Sequence, residues 1–359
     1  MKIVFFGNAP EKIAAIRYRV IKFAAMLEAD GHPCVVCLPA SVGQREALWD
    51  QGNRLTKLAY LFLVFLRRCG QLRHVAGADV VYFRGPVFEY GPPFFEHIIR
   101  LLNKNLVFDI DDAIWERPAH VDSPFVRFMD FEWVRKMCGL CKHAVVGNQH
   151  LADYVGQYLS SVSIVPTCID MDKHGLRGYD KGGDVVVLGW TGLKDNLGYM
   201  EPIEGVLQDL AQQYDIKIHV ATGRPYKLDG VTVENEYWTM DREIDYLQNA
   251  DIGLMPLHDS PRARGKCAFK ALQYMAVGVA PVISPVGMNA EVIEDGVNGF
   301  LADTPAEWRE KLTLLIQDAA LRERMGRAAR ETVIQRYSHE ANYPVLKAAL
   351  LSVAGEQDA

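Results

Sequence analysis

Apolar residues in the first half of the chain come in short runs separated by amphipathic stretches of helical period. The runs Ile3–Phe6, Cys34–Leu38, Val80–Phe83, Leu106–Ile110, Ala144–Val146 and Ser163–Val165 have strand length and no polar alternation. Strands that alternate with helices predict a parallel, doubly wound sheet. The helix before the second run ends at Asp30-Gly31-His32-Pro33, where a Gly past the last turn and a following Pro stop it.

A second series starts after Pro166, with strands expected at Val185–Leu188, Ile216–Val220, Val231–Val233, Ile252–Met255, Ala280–Ile283 and Gly299–Leu301. The chain therefore reads as two Rossmann-like α/β units in tandem. Apolar periodicity lapses between Pro166 and Asp184, where Gly175, Gly178, Gly182 and Gly183 cluster, so a hinge is expected there. This places an N-terminal domain at 1–168 and a C-terminal domain at 169–339. A last helix, about 340–359, is expected to pack back on the first domain. Open α/β sheets bind ligands beyond the carboxyl ends of their strands, so two such units facing across a cleft would hold both substrates in it.

Composition narrows the class. The 359 residues are 49% apolar and 23% charged, enough for two cores. A net charge of −6 argues against a broad nucleic-acid surface. The opening Met-Lys-Ile-Val-Phe-Phe-Gly reads as a strand and lacks the length of a signal-peptide core, so a cytoplasmic location is expected.

The longest apolar run, Leu58 to Leu66, is about half of what a membrane-spanning helix needs. Arg54, Lys57, Arg67, Arg68 and Arg73 surround it. Peripheral contact with the inner membrane face through 54–73 is one reading, and a buried core helix is the other. The pairs Cys34/Cys37 and Cys138/Cys141 have a zinc-like spacing, but Cys34 and Cys37 sit in a strand-like run where residues three apart face opposite sides.

The most specific residues lie late in the chain. Ala250-Asp-Ile-Gly-Leu-Met-Pro-Leu is followed by Arg-Gly-Lys-Cys-Ala-Phe-Lys-Ala-Leu-Gln-Tyr-Met-Ala-Val-Gly-Val-Ala-Pro-Val-Ile-Ser-Pro-Val-Gly from Arg264 to Gly287. Next come Glu291-Val-Ile-Glu-Asp-Gly-Val-Asn-Gly-Phe-Leu, Leu321-Arg-Glu-Arg-Met-Gly and Arg336-Tyr-Ser. Together they resemble the donor half of the GT-B-fold glycosyltransferases of the retaining family 4 type. In the first half, Val107-Phe-Asp-Ile-Asp-Asp-Ala-Ile-Trp115 and Val145-Val-Gly-Asn148 resemble a branch of that family with an acidic cluster after its fourth strand. The chain departs from the family at its pair of glutamates, which would fall at Gly265 and Gln273.

The resemblance implies a nucleotide-sugar donor, UDP-, GDP- or ADP-linked, held by the C-terminal domain, and no metal or other cofactor. Lys266 and Lys270, at the opening of a helix beside Gly265, suit a diphosphate, because helix N–H groups and ammonium charges both favour an anion. As an isolated pair they would equally form a solvated helix face. Gly192 and Lys194 match a glycine-rich loop with a basic residue downstream, and Arg224 after Thr222-Gly223 is a further donor-side candidate. Trp238 matches the base-packing position or is core. Gln273 can bond ribose or sugar hydroxyls. Glu291 would bind sugar hydroxyls or cap a helix.

Asp109, Asp111 and Asp112 end the predicted fourth strand on the acceptor side. Asp111 and Asp112 are the catalytic candidates there, with Lys270 on the donor side, and Asp109, Arg84 and Arg17 are the acceptor-binding candidates. Helix capping is the other reading of Asp112. The expected activity is hexosyl transfer with retention to a glycan, lipid-linked or small-molecule acceptor, of the kind used to build cell-surface polysaccharide or glycoconjugates. The alternatives are a non-catalytic nucleotide-sugar-binding or scaffold subunit and a GT-B-fold epimerase.

Overall fold

Each run expected as a strand forms one in the computed structural model, which describes residues 1–117, 126–180 and 185–355, while the run Leu58–Leu66 lies in the helix Arg54–Gln71. The first sheet contains β1 (Ile3–Gly7), β2 (Cys34–Cys37), β3 (Val80–Arg84), β4 (Leu106–Ile110), β5 (His143–Val146) and β6 (Val162–Ile164), in the order β2-β1-β3-β4-β5-β6. All its pairings are parallel. β1, β3, β4 and β5 are buried throughout, as strands covered on both faces must be, which is why they read as unbroken apolar runs.

Alternate residues sort to the two faces. Ile3, Phe5, Tyr82, Val107 and Val145 pack with Phe23 and Leu27 on one side, joined by Leu346, Leu350 and Val353 of the closing helix His339–Ala354. Tyr343 and Lys347 of that helix fix it to Asp30 through contacts of 2.8 and 2.7 Å.

The second sheet contains β7 (Val186–Thr191), β8 (Ile216–Thr222), β9 (Thr232–Tyr237), β10 (Ile252–Met255), β11 (Ala280–Ile283) and β12 (Phe300–Leu301), in the order β12-β11-β10-β7-β8-β9. Leu188, Trp190, Ile218, Val220, Ile252, Leu254 and Val282 share its core with Leu207, Trp308, Leu312 and Met325. Strand β9 continues past the predicted Val233 to Tyr237. It is an exposed edge of Thr-Val-Glu-Asn-Glu-Tyr, so no apolar pattern marks its length.

The chain divides into one unit of Met1–Cys168 with the segment from Asn342 on, and a second of Ile169–Ala341. The glycine-rich join is not a free linker where it is described. Arg177 donates to Ala250 O and pairs with Asp251, Tyr179 donates to Gly278 O at 2.8 Å, and Gln248 donates to Gly175 O, so Gly175 and Gly178 lie in a segment pinned to the second unit. Gly182 and Gly183 lie outside the described residues.

Candidate functional site

In the second sheet β10 and β7 lie side by side, and the connections run outward from them in opposite directions. A crevice beyond the carboxyl ends of such a strand pair is where doubly wound sheets take ligands. The helix Phe269–Ala276 is drawn close to this point by Tyr274. Its ring lies so near Gly253 on β10 that a Cβ there would meet it at 2.5 Å. That approach carries Lys270, one turn earlier, to the end of β7. A Cβ on Gly192 would lie 2.7 Å from Lys270 Cε and 3.2 Å from its Nζ, and the ammonium stands 5.8 Å from the Trp190 ring centre.

The neighbouring strand ends are laced together. Thr222 Oγ1 donates to Gly192 O at 2.7 Å, and Trp238 N donates to Thr222 O at 3.2 Å. Lys194 is exposed, and its Cβ is within ordinary contact of a side chain built at Gly223. Lys266 is half-buried, with Nζ 5.9 Å from the Tyr199 ring. Between Lys266 and Lys270, Ala268 caps the helix with φ 50° and ψ 20°, the single left-handed non-glycine backbone among the described residues. Such a conformation costs about 1–3 kcal/mol and persists where surrounding structure imposes it.

Gly192, Lys194, Lys266 and Lys270 thus gather at the carboxyl edge of the sheet, with Arg224 exposed just past the end of β8. Trp238 is half-buried after β9. Gln273 is buried, and its amide donates to Glu243 Oε1 at 3.2 Å. It therefore presents a carboxylate, Glu243, rather than meeting solvent itself. Glu243 was missed in the sequence because it lies on another helix, Glu243–Asn249, and only the fold joins it to Gln273. Glu291 is exposed inside the short helix Asn289–Val292, and Met288 occupies the cap position.

In the first unit the acidic cluster is largely internal. Arg84 and Asp109 are neighbours across β3 and β4. Asp109 is fully buried, with Oδ2 accepting from Arg19 Nε at 2.9 Å and Oδ1 paired with the Arg19 Nη2 group, so it is a structural anion and not an acceptor contact. Arg19 reaches it because a π-helical turn, Arg17–Ile21, rotates this side chain inward, while Arg17 stays half-exposed with Nη1 donating to Lys12 O.

Asp111 pairs with Arg84. Burial pushes its carboxyl up, but Arg84 and Arg19 outweigh that and hold it below the ordinary carboxylate value, which weakens it as a proton acceptor. Asp112 Oδ1 accepts from Ala113 N at 3.0 Å in a local turn, and over the described residues 113–117 no helix follows it.

The order β2-β1-β3 puts the corresponding crevice of the first sheet between β1 and β3. A cavity of about 290 Å³ lies there, with Asn8 and Pro10 after β1 and Arg84 at the end of β3. Its charged lining combines Lys12, Arg45 and Arg84 with Glu46, Asp50 and Glu89. Of the acceptor-side candidates only Arg84 lines it. The rest of its charged lining comes from Lys12 after β1, Glu89 after β3 and the short helical turns Val42–Arg45 and Glu46–Asp50, whose convergence no sequence period announces.

The cysteine pairs hold no bridge. Burial pushes the Cys34 thiol up to about 12 and the Cys37 thiol up to about 11, so both are protonated thiols.

Residues 229–332, which include Trp238, Glu243, Lys266, Lys270, Gln273 and Glu291, match the family described as glycosyl transferases group 1. Among solved structures, sucrose-phosphate synthase from Thermosynechococcus elongatus superposes with a TM-score of 0.71 at 13% identity, covering 99% of each chain. The fold is that of the GT-B glycosyltransferases. A glycosyltransferase from Rickettsia africae shares this GT-B architecture with a TM-score of 0.66 at 13% identity over 99% of each chain. So does HepE of Anabaena in complex with UDP-glucose, at 0.65 and 16% identity over 97% of this chain and 99% of that one. No curated protein sequence matches the chain.

Proposed function

We propose that this GT-B chain is a glycosyltransferase whose C-terminal unit binds a nucleotide sugar through its diphosphate. The observation that carries this reading is the convergence of Lys270, Lys266 and Lys194 on the carboxyl edge at β7 and β10, with Gly192 keeping the space beside Lys270 open. The family match over 229–332 supports it, and so does HepE, whose structure contains UDP-glucose.

In glycosyl transfer the departing diphosphate gains negative charge as its bond to the sugar breaks. Ammonium groups aimed at it therefore stabilise the transition state more than the ground state. Lys270 and Lys266 take that role, with Lys194 on the outer phosphate and Arg224 beside it. Trp238 stacks on the base, and Glu243, held by Gln273, accepts hydroxyl hydrogen bonds from the ribose. Glu291 faces the sugar. UDP, GDP and ADP all satisfy this chemistry, and the lysines supply the charge a metal would otherwise bring.

The acceptor binds the first unit at the cavity lined by Arg84. Transfer is hexosyl and retaining, the leaving phosphate taking the acceptor proton on the face it departs from. Asp111, paired with Arg84, orients the acceptor, with Asp112 beside it in the adjacent turn. The setting is cell-surface polysaccharide or glycoconjugate synthesis in the cytoplasm, with peripheral attachment at the inner membrane face through 54–73.

Thermal-shift titration of the full chain with UDP-, GDP- and ADP-sugars tests the donor site, because a specific ligand raises the unfolding midpoint. One nucleotide series is expected to do so. A flat response to all three removes the reading.

A further inference from the structure

The helix Arg54–Gln71 has two apolar faces, and the fold uses one of them. Asn53 starts it, its side chain accepting from Leu55 N and Thr56 N at 2.9 and 3.1 Å. Tyr60, Val64 and Arg68 face inward. Leu55, Leu58, Phe62 and Leu66 recur at helical spacing on the opposite side and are 76%, 58%, 64% and 52% exposed. At the edge of this stripe Phe65 stands 5.4 Å from the Phe95 ring, which in turn contacts the exposed Phe94 at 5.6 Å. A contiguous apolar surface of this kind is costly in water and marks an interaction site.

The charge around it identifies the occupant. From Gly52 to Ala78 the sequence contains no Asp or Glu but has Arg54, Lys57, Arg67, Arg68 and Arg73, in a chain whose net charge is −6. Arg54, Arg67 and Arg73 are exposed. Large apolar side chains flanked by cations match the acyl boundary and headgroups of an anionic bilayer, and the helix is not long and apolar enough to cross one.

We propose that this face seats the protein on an anionic lipid surface and thereby selects a membrane-borne acceptor. Arg68 makes the connection. Its guanidinium donates to Gly7 O, Cys37 O and Val87 O at 2.6, 3.0 and 2.8 Å, at or just beyond the ends of β1, β2 and β3, where the cavity lies. The short helical segment before this helix, Val42–Arg45 and Glu46–Asp50, supplies Arg45, Glu46 and Asp50 to the same cavity, and Trp49 packs on Tyr60 at 5.6 Å. Docking face and cavity are thus one block. Its acceptor is an amphiphile whose polar head enters the charged cavity while its tail stays in the bilayer. The docking stands on the surface alone; the acceptor class rests on the proposed transfer.

The test is co-sedimentation of the full chain with vesicles of phosphatidylcholine, with and without phosphatidylglycerol. Binding is expected to the anionic vesicles, to weaken with salt, and to fall at least about tenfold in the double variant Leu58→Asp/Phe62→Asp and in Arg54→Glu/Arg67→Glu. Both variants are expected to keep the wild-type thermal shift with nucleotide sugar, which separates failure of docking from failure of the donor site. An environment-sensitive fluorophore on the exposed thiol Cys69, one stripe position beyond Leu66, should shift to the blue with anionic vesicles and gives a readout that needs no folded variant. Wild-type protein that stays in the supernatant at low salt, or variants that bind as well as wild type, would overturn the proposal. So would a dimer in sedimentation velocity that Phe62→Asp splits while vesicles bind nothing.

Discussion

Lys270 lies against Gly192 so closely that the smallest side chain on Gly192 would sit 2.7 Å from Lys270 Cε and 2.9 Å from Trp190 Cη2. A methyl group there has no empty direction, and the lysine tip is the part able to move. Gly192→Ala is expected to displace the ammonium from the strand end. Nucleotide-sugar affinity, measured by calorimetric titration, should fall by about tenfold while stability changes by less than ~2 kcal/mol. Unchanged affinity would mean that Lys270 does not meet the donor.

The Arg19–Asp109 pair supports the centre of the first sheet. Both side chains are buried, and Arg19 also donates to Val165 O at 2.8 Å, tying β4 to the segment after β6. Arg19→Ala leaves the Asp109 carboxylate without its main partner and is expected to cost ~3–5 kcal/mol in urea unfolding. A loss under ~1 kcal/mol would show that water or Arg84 replaces the pair.

The legibility of these features in the sequence follows from how far apart their parts lie. β1 and β3 were readable because burial on both faces makes each an unbroken apolar run. β9 was read short because an exposed edge strand with Glu234, Asn235 and Glu236 carries no such mark. Lys266 and Lys270 could be placed at a helix start, but the meeting of Lys270 with Gly192 depends on Tyr274 packing over Gly253. The sequence does not show the partners of Arg19 and Arg68, since Arg19 finds Asp109 at a separation of 90 residues and Arg68 finds Gly7 at 61. Helix 54–71 is apolar nearly all round, so its period alone could not say which face the fold would leave exposed.

His143 gives the first unit a pH response. Its ring contacts Ser161 Oγ at 2.7 Å and Ser163 Oγ at 3.0 Å, and burial lowers its pKa below the ordinary 6.5. The unfolded chain then binds the proton more readily. The stability held above pH 6.5 is therefore lost as pH falls from there through the lower folded value. In thermal melts between pH 7.5 and about 5, His143→Gln should lose less stability than wild type. Parallel curves would remove His143 as the cause.

Glu243 and Gln273 act as one unit if the ribose contact is right. Glu243→Ala and Gln273→Ala should each weaken donor binding by about tenfold, and the double variant should be little worse than either single one. Fully multiplicative losses in titrations of the three variants would separate the two residues.

The central claim is that Lys270 stabilises a departing nucleoside diphosphate. Its most direct measurement is single-turnover release of the nucleoside diphosphate from the nucleotide sugar that binds, in wild type and Lys270→Ala, with enzyme in saturating excess over the donor. A fall of about 100-fold or more in the rate of diphosphate release is expected while the variant stays folded. A variant that releases the diphosphate at the wild-type rate would contradict it.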